Sequence, residues 1–109
     1  MSYAVLLTAG AERDLEAIYD YLADTDGEAS AERVLQRLLE LTERLAELPE
    51  RGAYPRELLA LGIREYRQVL FKPYRVIYRV SGKRVIITLI ADGRREMQAL
   101  LARRLLGSE

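Results

Sequence analysis

The chain contains no cysteine and no histidine. The first absence excludes a disulfide framework, a thiolate metal site and a cysteine nucleophile. The second removes the commonest general base and the commonest metal ligand. Zinc enzymes and serine–histidine or cysteine–histidine catalysis are closed off together. Lysine is scarce as well, with only Lys72 and Lys83. No apolar run approaches the roughly 18 residues that a bilayer span requires. The segment Met1–Leu7 has no basic region ahead of it and is soon followed by Glu12, which is not a signal-peptide pattern. The expectation is a cytoplasmic protein with no membrane contact, no cofactor, no metal site and no catalytic residue.

What is present is ordinary globular composition: 109 residues, half of them apolar and 31% charged. This suits one domain over residues 1–109 with one hydrophobic core. The formal net charge of zero hides a division. Residues 1–30 carry seven acidic side chains against one basic, whereas residues 61–109 carry eleven basic against four acidic. An acidic front and a basic back point to a polyanion or an acidic protein segment as partner of the C-terminal half.

Periodicity divides the chain the same way. Tyr3–Leu7 reads as a strand. Thr8 is placed to cap a helix whose face is Leu15, Ile18, Tyr19 and Leu22, with Glu12 and Asp14 near its positive end. Asp24-Thr25-Asp26-Gly27 ends it. A second helix begins at Glu28 or Ser30 and runs to Leu48, with Val34, Leu38, Leu41, Leu45 and Leu48 as its stripe and Pro49 as its stop. The short connection predicts an antiparallel helical hairpin. Residues 49–62 read as a loop pinned by Leu58, Leu59 and Leu61. The period then changes from 3.6 to 2. Ile63–Phe71 and Tyr74–Val80 read as strands joined at Lys72-Pro73, and Ser81-Gly82 as a hairpin turn. Val85–Ile90 is apolar on both faces, as a central strand should be. Asp92 is placed to cap a last helix, Arg94–Leu106, carrying Met97, Leu101 and Leu105 on one side. The expected fold class is α+β, in the order β-α-α-β-β-β-α. An antiparallel sheet packs against the N-terminal helical hairpin, and a helix follows at the C-terminus.

Tyr74-Arg75-Val76-Ile77-Tyr78-Arg79-Val80, then Gly82, the apolar strand and Asp92-Gly93-Arg94-Arg95-Glu96-Met97 resemble the RelE/ParE superfamily of toxins. The front, with Ala11-Glu12, Asp14-Leu15, Ile18 and Tyr21-Leu22, is similar too, so the likeness covers essentially the whole chain in order. It implies a toxin held silent by a cognate antitoxin, ParD-like or similar. In such systems the antitoxin also carries the complex to operator DNA. RelE-like members cut mRNA in the ribosomal decoding site, and ParE-like members poison DNA gyrase.

Chemistry separates the two branches. Cleavage through a 2′-hydroxyl needs a group to take its proton, a group to hold the phosphorane charge and a group to protonate the leaving oxygen. The resemblance places Arg75 and Arg95 on two arginines of the nuclease branch and Arg67 near one of its lysines. The second lysine position holds Val69. The tyrosine of the last helix falls near Leu101, and that helix has no tyrosine. Arginine stays protonated and is a poor proton shuttle. Charge-holding groups are therefore retained while proton-transfer groups are missing. The reading is a ParE-like toxin that inhibits DNA gyrase by contact, with an mRNA endonuclease as the alternative. Arg67, Arg75, Arg79, Arg94 and Arg95 are the residues expected to bind target or antitoxin. Arg94 and Arg95 sit, on this reading, at a helix N-terminus where cations are unfavourable, which calls for a compensating anion. Tyr66, Tyr74 and Tyr78 are spaced for packing, and Arg103-Arg104 suits a solvated helix end.

Overall fold

A computed structural model describes residues 2–106. Strand β1 (Ala4–Leu7) leads into α1 (Ala9–Asp26) and α2 (Glu28–Glu43), which passes into a single 3-10 turn at Arg44–Ala46. A four-residue helix, α3 (Arg56–Leu59), precedes β2 (Arg67–Phe71), β3 (Tyr74–Ser81), β4 (Arg84–Asp92) and α4 (Met97–Leu106). Among the described residues, no helix is long and apolar enough to cross a membrane.

The two long helices follow from local signals. The Thr8 side chain accepts from the Ala11 amide at 3.1 Å, which caps α1. Gly27 separates the helices at φ +94°, a conformation that side chains with a Cβ rarely adopt. The resulting hairpin lays Ala11, Leu38 and Leu45 on one face of the sheet, against Val76, Tyr78, Val85 and Ile87. Leu38 and Leu45 are wholly removed from solvent, each worth about 2 kcal/mol by transfer of its apolar area. Helix α2 loses its regular form earlier than Pro49 alone requires. Leu45 stays buried through the 3-10 turn, but Leu48, expected on the stripe, is exposed.

The sheet runs in the order β1-β4-β3-β2. Strands β2, β3 and β4 form the expected antiparallel meander, and β4 is central to the sheet because β1 flanks its other side. Strand β1, however, joins β4 in parallel, pairing Ala4 with Arg84 through Leu7 with Ile87, so the sheet is mixed. The helical hairpin is a crossover connection, long enough to return the chain in the same direction. Strand β2 starts at Arg67, four residues later than Ile63. Ile63 and Tyr66 instead pack on the far face of the sheet with Leu58, Ile77, Leu89, Met97, Leu100 and Leu101. This second cluster, beneath α3 and α4, makes the molecule three layers deep over half of the sheet. Of the three leucines expected to pin the loop, Leu58 alone is buried, while Leu59 and Leu61 face solvent.

A bulge marks β4. Ile77 pairs with Leu89 but Tyr78 pairs with Ile87, leaving Thr88 unmatched. The Thr88 hydroxyl donates to the Ile77 carbonyl at 3.1 Å. On the other side β1 has already ended, and two side chains take up backbone groups of β4. Asp14 of α1 accepts from the Ile90 amide at 2.9 Å, and Arg104 of α4 donates to the Thr88 carbonyl at 2.8 Å. Arg104 and Asp14 also form a two-pronged ion pair, both bonds at 2.9 Å, with about 15% of each side chain exposed. Arg104 is thus an internal tie and not a solvated helix end.

Candidate functional site

Alternation along β3 sends Tyr74, Val76 and Tyr78 into the hairpin core. Arg75, Ile77 and Arg79 face the other way. Arg75 comes to lie under α3. Its two terminal nitrogens donate to the two oxygens of Glu57 at 2.9 and 2.8 Å, and its Nε donates to the Gln68 side-chain oxygen at 2.7 Å. The Arg75 hydrogen bond holds the Glu57 carboxyl down to about 2 from the ordinary 4.5. The guanidinium is 9% exposed as a residue and closely packed. A Cβ added to Gly93 would stand 2.8 Å from Arg75 Cδ, so glycine is what lets the β4–α4 turn pass over it.

Arg67 is turned towards the loop before α3. One terminal nitrogen donates to the Glu50 and Gly52 carbonyls at 3.2 and 2.9 Å, the other to the Tyr54 hydroxyl at 3.2 Å. Its guanidinium carbon lies 4.6 Å from the Tyr54 ring centre, and that of Arg64 lies 5.8 Å from the same ring. The loop is held in place by Tyr78, whose buried hydroxyl donates to the Pro49 carbonyl at 2.8 Å and accepts from the Gly52 amide at 3.0 Å. Burial pushes the Tyr78 phenol up, which keeps it a donor at neutral pH. Arg64, Arg67 and Arg79 line one cleft of about 560 Å³ together with Glu50, Glu65, Tyr66 and Val80.

Arg94 and Arg95 belong to a different place. Helix α4 begins at Met97, so both stand in the turn before it. Glu96 caps the helix, its carboxylate accepting from the Ala99 amide at 2.7 Å. The dipole penalty expected for the two arginines is therefore met by an acidic residue of the turn itself. Arg94 folds back on Asp92, Nε to Oδ1 at 2.9 Å and a terminal nitrogen to Oδ2 at 2.6 Å. These bonds from Arg94 lower the Asp92 pKa. Both arginines border a groove of about 700 Å³ whose floor includes Ile18, Leu22, Val34, Tyr74 and Ile90 and whose rim includes Tyr21, Lys72 and Asp92. The five arginines named from the sequence thus divide three ways: Arg67 and Arg79 at the cleft, Arg94 and Arg95 at the groove, and Arg75 buried, lining neither. Glu57 and Gln68, which complete the Arg75 cluster, carried no sequence signal. Arg64 and Tyr54 could have been suspected only from their nearness to Arg67.

A mixed sheet flanked by a capped helical hairpin and a short C-terminal helix, with basic side chains at two openings, is the architecture of a small toxin of the ParE/RelE type. The family model described as the ParE toxin of the type II toxin–antitoxin system parDE matches residues 5–97. The chain is 30% identical over 100 residues to Toxin ParE3 of Caulobacter vibrioides, spanning 92% of this chain and 96% of that one. It superposes on a chain of the chromosomal ParDE system from P. aeruginosa with a TM-score of 0.70 at 25% identity, covering 84% and 96% of the two chains. The RelBE2 toxin–antitoxin complex from Mycobacterium tuberculosis shares the fold, with a TM-score of 0.62 at 23% identity over 84% and 99% of the chains. The chain belongs to the ParE toxin family of type II toxin–antitoxin systems.

Proposed function

We propose that this toxin inhibits DNA gyrase by binding it, without turnover, and that a ParD-like antitoxin encoded beside it keeps it silent in the cytoplasm. The carrying observation is the state of Arg75. In the nuclease branch the matching arginine would meet RNA phosphate. Here its Nε and both terminal nitrogens are engaged by Gln68 and Glu57. A phosphate would have to displace a carboxylate already in bidentate register. The lack of histidine and cysteine, and of tyrosine on α4, leaves no evident group for proton transfer near neutral pH. Arg94 and Arg95, beside an apolar-floored groove, suit an antitoxin segment that folds on binding, with its acidic side chains towards the rim. Arg67 and Arg79 suit the target. Operator DNA is reached through the antitoxin.

The test is purified chain with purified gyrase in a supercoiling assay, run beside a ribosome-bound mRNA cleavage assay. Loss of supercoiling with intact mRNA is expected. Codon-positioned mRNA cuts with supercoiling unaffected would overturn the proposal in favour of an endonuclease. The neighbouring antitoxin should bind in the nanomolar range with a large negative heat-capacity change, the mark of coupled folding.

A further inference from the structure

We infer that the cleft between β3 and the loop ahead of β2 is a receptor for one acidic side chain of a protein partner, with Arg79 as its anchoring cation. The inference deepens the reading of this chain as a protein-binding toxin and rests on it, but it names the chemistry of the contact and a residue, Arg64, not so far assigned to one.

Three arginines line this cleft: Arg64, Arg67 and Arg79. None forms an ion pair among the described residues. Arg64 and Arg67 share the ring of Tyr54, so two cations are gathered at one aromatic side chain, with no carboxylate paired to either among the described residues. Arg67 is fixed by the carbonyls of Glu50 and Gly52 and by the Tyr54 hydroxyl, while its Nε–H meets no acceptor among the described residues. Arg79 projects from β3, half-buried, with no hydrogen bond or ion pair of its own among them. A half-buried guanidinium left without an acceptor is poised for an incoming anion, since charge-assisted bonds are strongest where water is partly excluded. By contrast, Arg75 and Arg104, on the same face of the sheet and at its edge, have found carboxylates within the fold.

The lining also selects among anions. Glu50 and Glu65 are also among its lining residues, three arginines against two glutamates. A nucleic-acid backbone, with a charge at every step, would press successive phosphates against those glutamates. A single carboxylate would not. Val80 and Tyr66 supply an apolar wall for the methylene stem of an aspartate or glutamate, and a planar fork matches its head.

The experiment follows the arginine Nε–H resonances of the full chain by NMR during titration at low salt with a short polyglutamate peptide, and in a parallel arm with a polyuridine oligonucleotide of equal length. The Arg64, Arg67 and Arg79 signals should shift together and saturably with polyglutamate, and the effect should fade as salt is raised. Arg79→Gln should weaken binding roughly tenfold, Arg79→Lys less, and Arg103→Gln, at an exposed position of α4, hardly at all, the tenfold loss being what one charge-assisted bond supports. Unchanged thermal melts of the Arg79 variants confirm that folding is intact. An absent or unsaturable shift, an equal loss in Arg103→Gln, or tighter binding of the oligonucleotide at these same resonances would overturn the inference. A chain that leaves gyrase untouched yet saturates with polyglutamate in this way would sink the gyrase proposal and leave the cleft standing.

Discussion

Arg75 and Arg79 lie four residues apart on the same face of the same strand, and they live in different surroundings. Above Arg75 the sheet is roofed by α3 and α4, and the guanidinium is saturated by Glu57 and Gln68. Above Arg79 the roof is missing, and the guanidinium opens on a cleft. The alternating pattern of β3 is identical at both positions. What separates a structural arginine from an available one is the cover of α3 and α4, segments some twenty residues away on either side in the sequence, which roof one half of the face and not the other. An arginine in a toxin of this fold is therefore to be judged by what lies over it, not by its place in the motif.

That contrast can be broken from its covered side first. Asp14→Ala removes the carboxylate that holds both Arg104 and the Ile90 amide. It strands a largely buried cation and an amide, and should cost about 3–5 kcal/mol, read as a lowered denaturation midpoint in urea. Glu57→Gln should come next, at about 3 kcal/mol near neutral pH, the free-energy equivalent of the depressed Glu57 carboxyl. The sign is fixed by that depression. The carboxyl is more acidic folded than unfolded, so its contribution is complete above the ordinary value of 4.5 and is lost as pH falls towards about 2. The melts of wild type and Glu57→Gln should differ at pH 7 and converge across that window. A gap that persists in acid would mean that the pair acts through packing and not through charge.

The open side is expected to respond more weakly. Tyr78→Phe leaves the Gly52 amide and Pro49 carbonyl without their partner and should cost about 1–3 kcal/mol. It should also loosen the wall that carries Glu50, measured as faster amide exchange at residues 50–53. Arg79→Gln should change stability by less than about 0.5 kcal/mol while reducing acidic-peptide binding. If it destabilised the protein as much as Glu57→Gln does, Arg79 would have a structural partner after all and the contrast would collapse.

Much of the fold is legible in local sequence. The Thr8 cap, the Gly27 break and the leucine stripe mark the hairpin because helix signals act over three or four residues. The central place of β4 is legible because burial on both faces leaves an apolar run from Val85 to Ile90. The parallel pairing of β1 is not legible, since four residues carry no mark of strand direction. The site is less readable than the fold. Arg67 and Arg79 were recognisable as basic residues of the sheet, but nothing near them in sequence says that they share a cleft. Glu57 lies in a segment that offers leucines as its obvious signal, and its partner is 18 residues away. Arg104 and Asp14 are 90 residues apart, each ordinary in its own helix. Ion pairs of that reach have no periodicity to betray them.

The pairing of β1 with β4 has a consequence in time. The first strand to be synthesised finds its hydrogen-bonding neighbour in Arg84–Ile87, about eighty residues later in the chain. Until that stretch emerges, the segment Ala4–Leu7 has no sheet to join, and the core face of the helical hairpin lacks Val76, Tyr78, Val85 and Ile87 to close on. Closing so long a loop is entropically costly, and contacts of such separation slow folding. The sheet thus closes only after Arg84–Ile87 has been made. An unfinished chain is correspondingly an exposed one, open to proteolysis and aggregation.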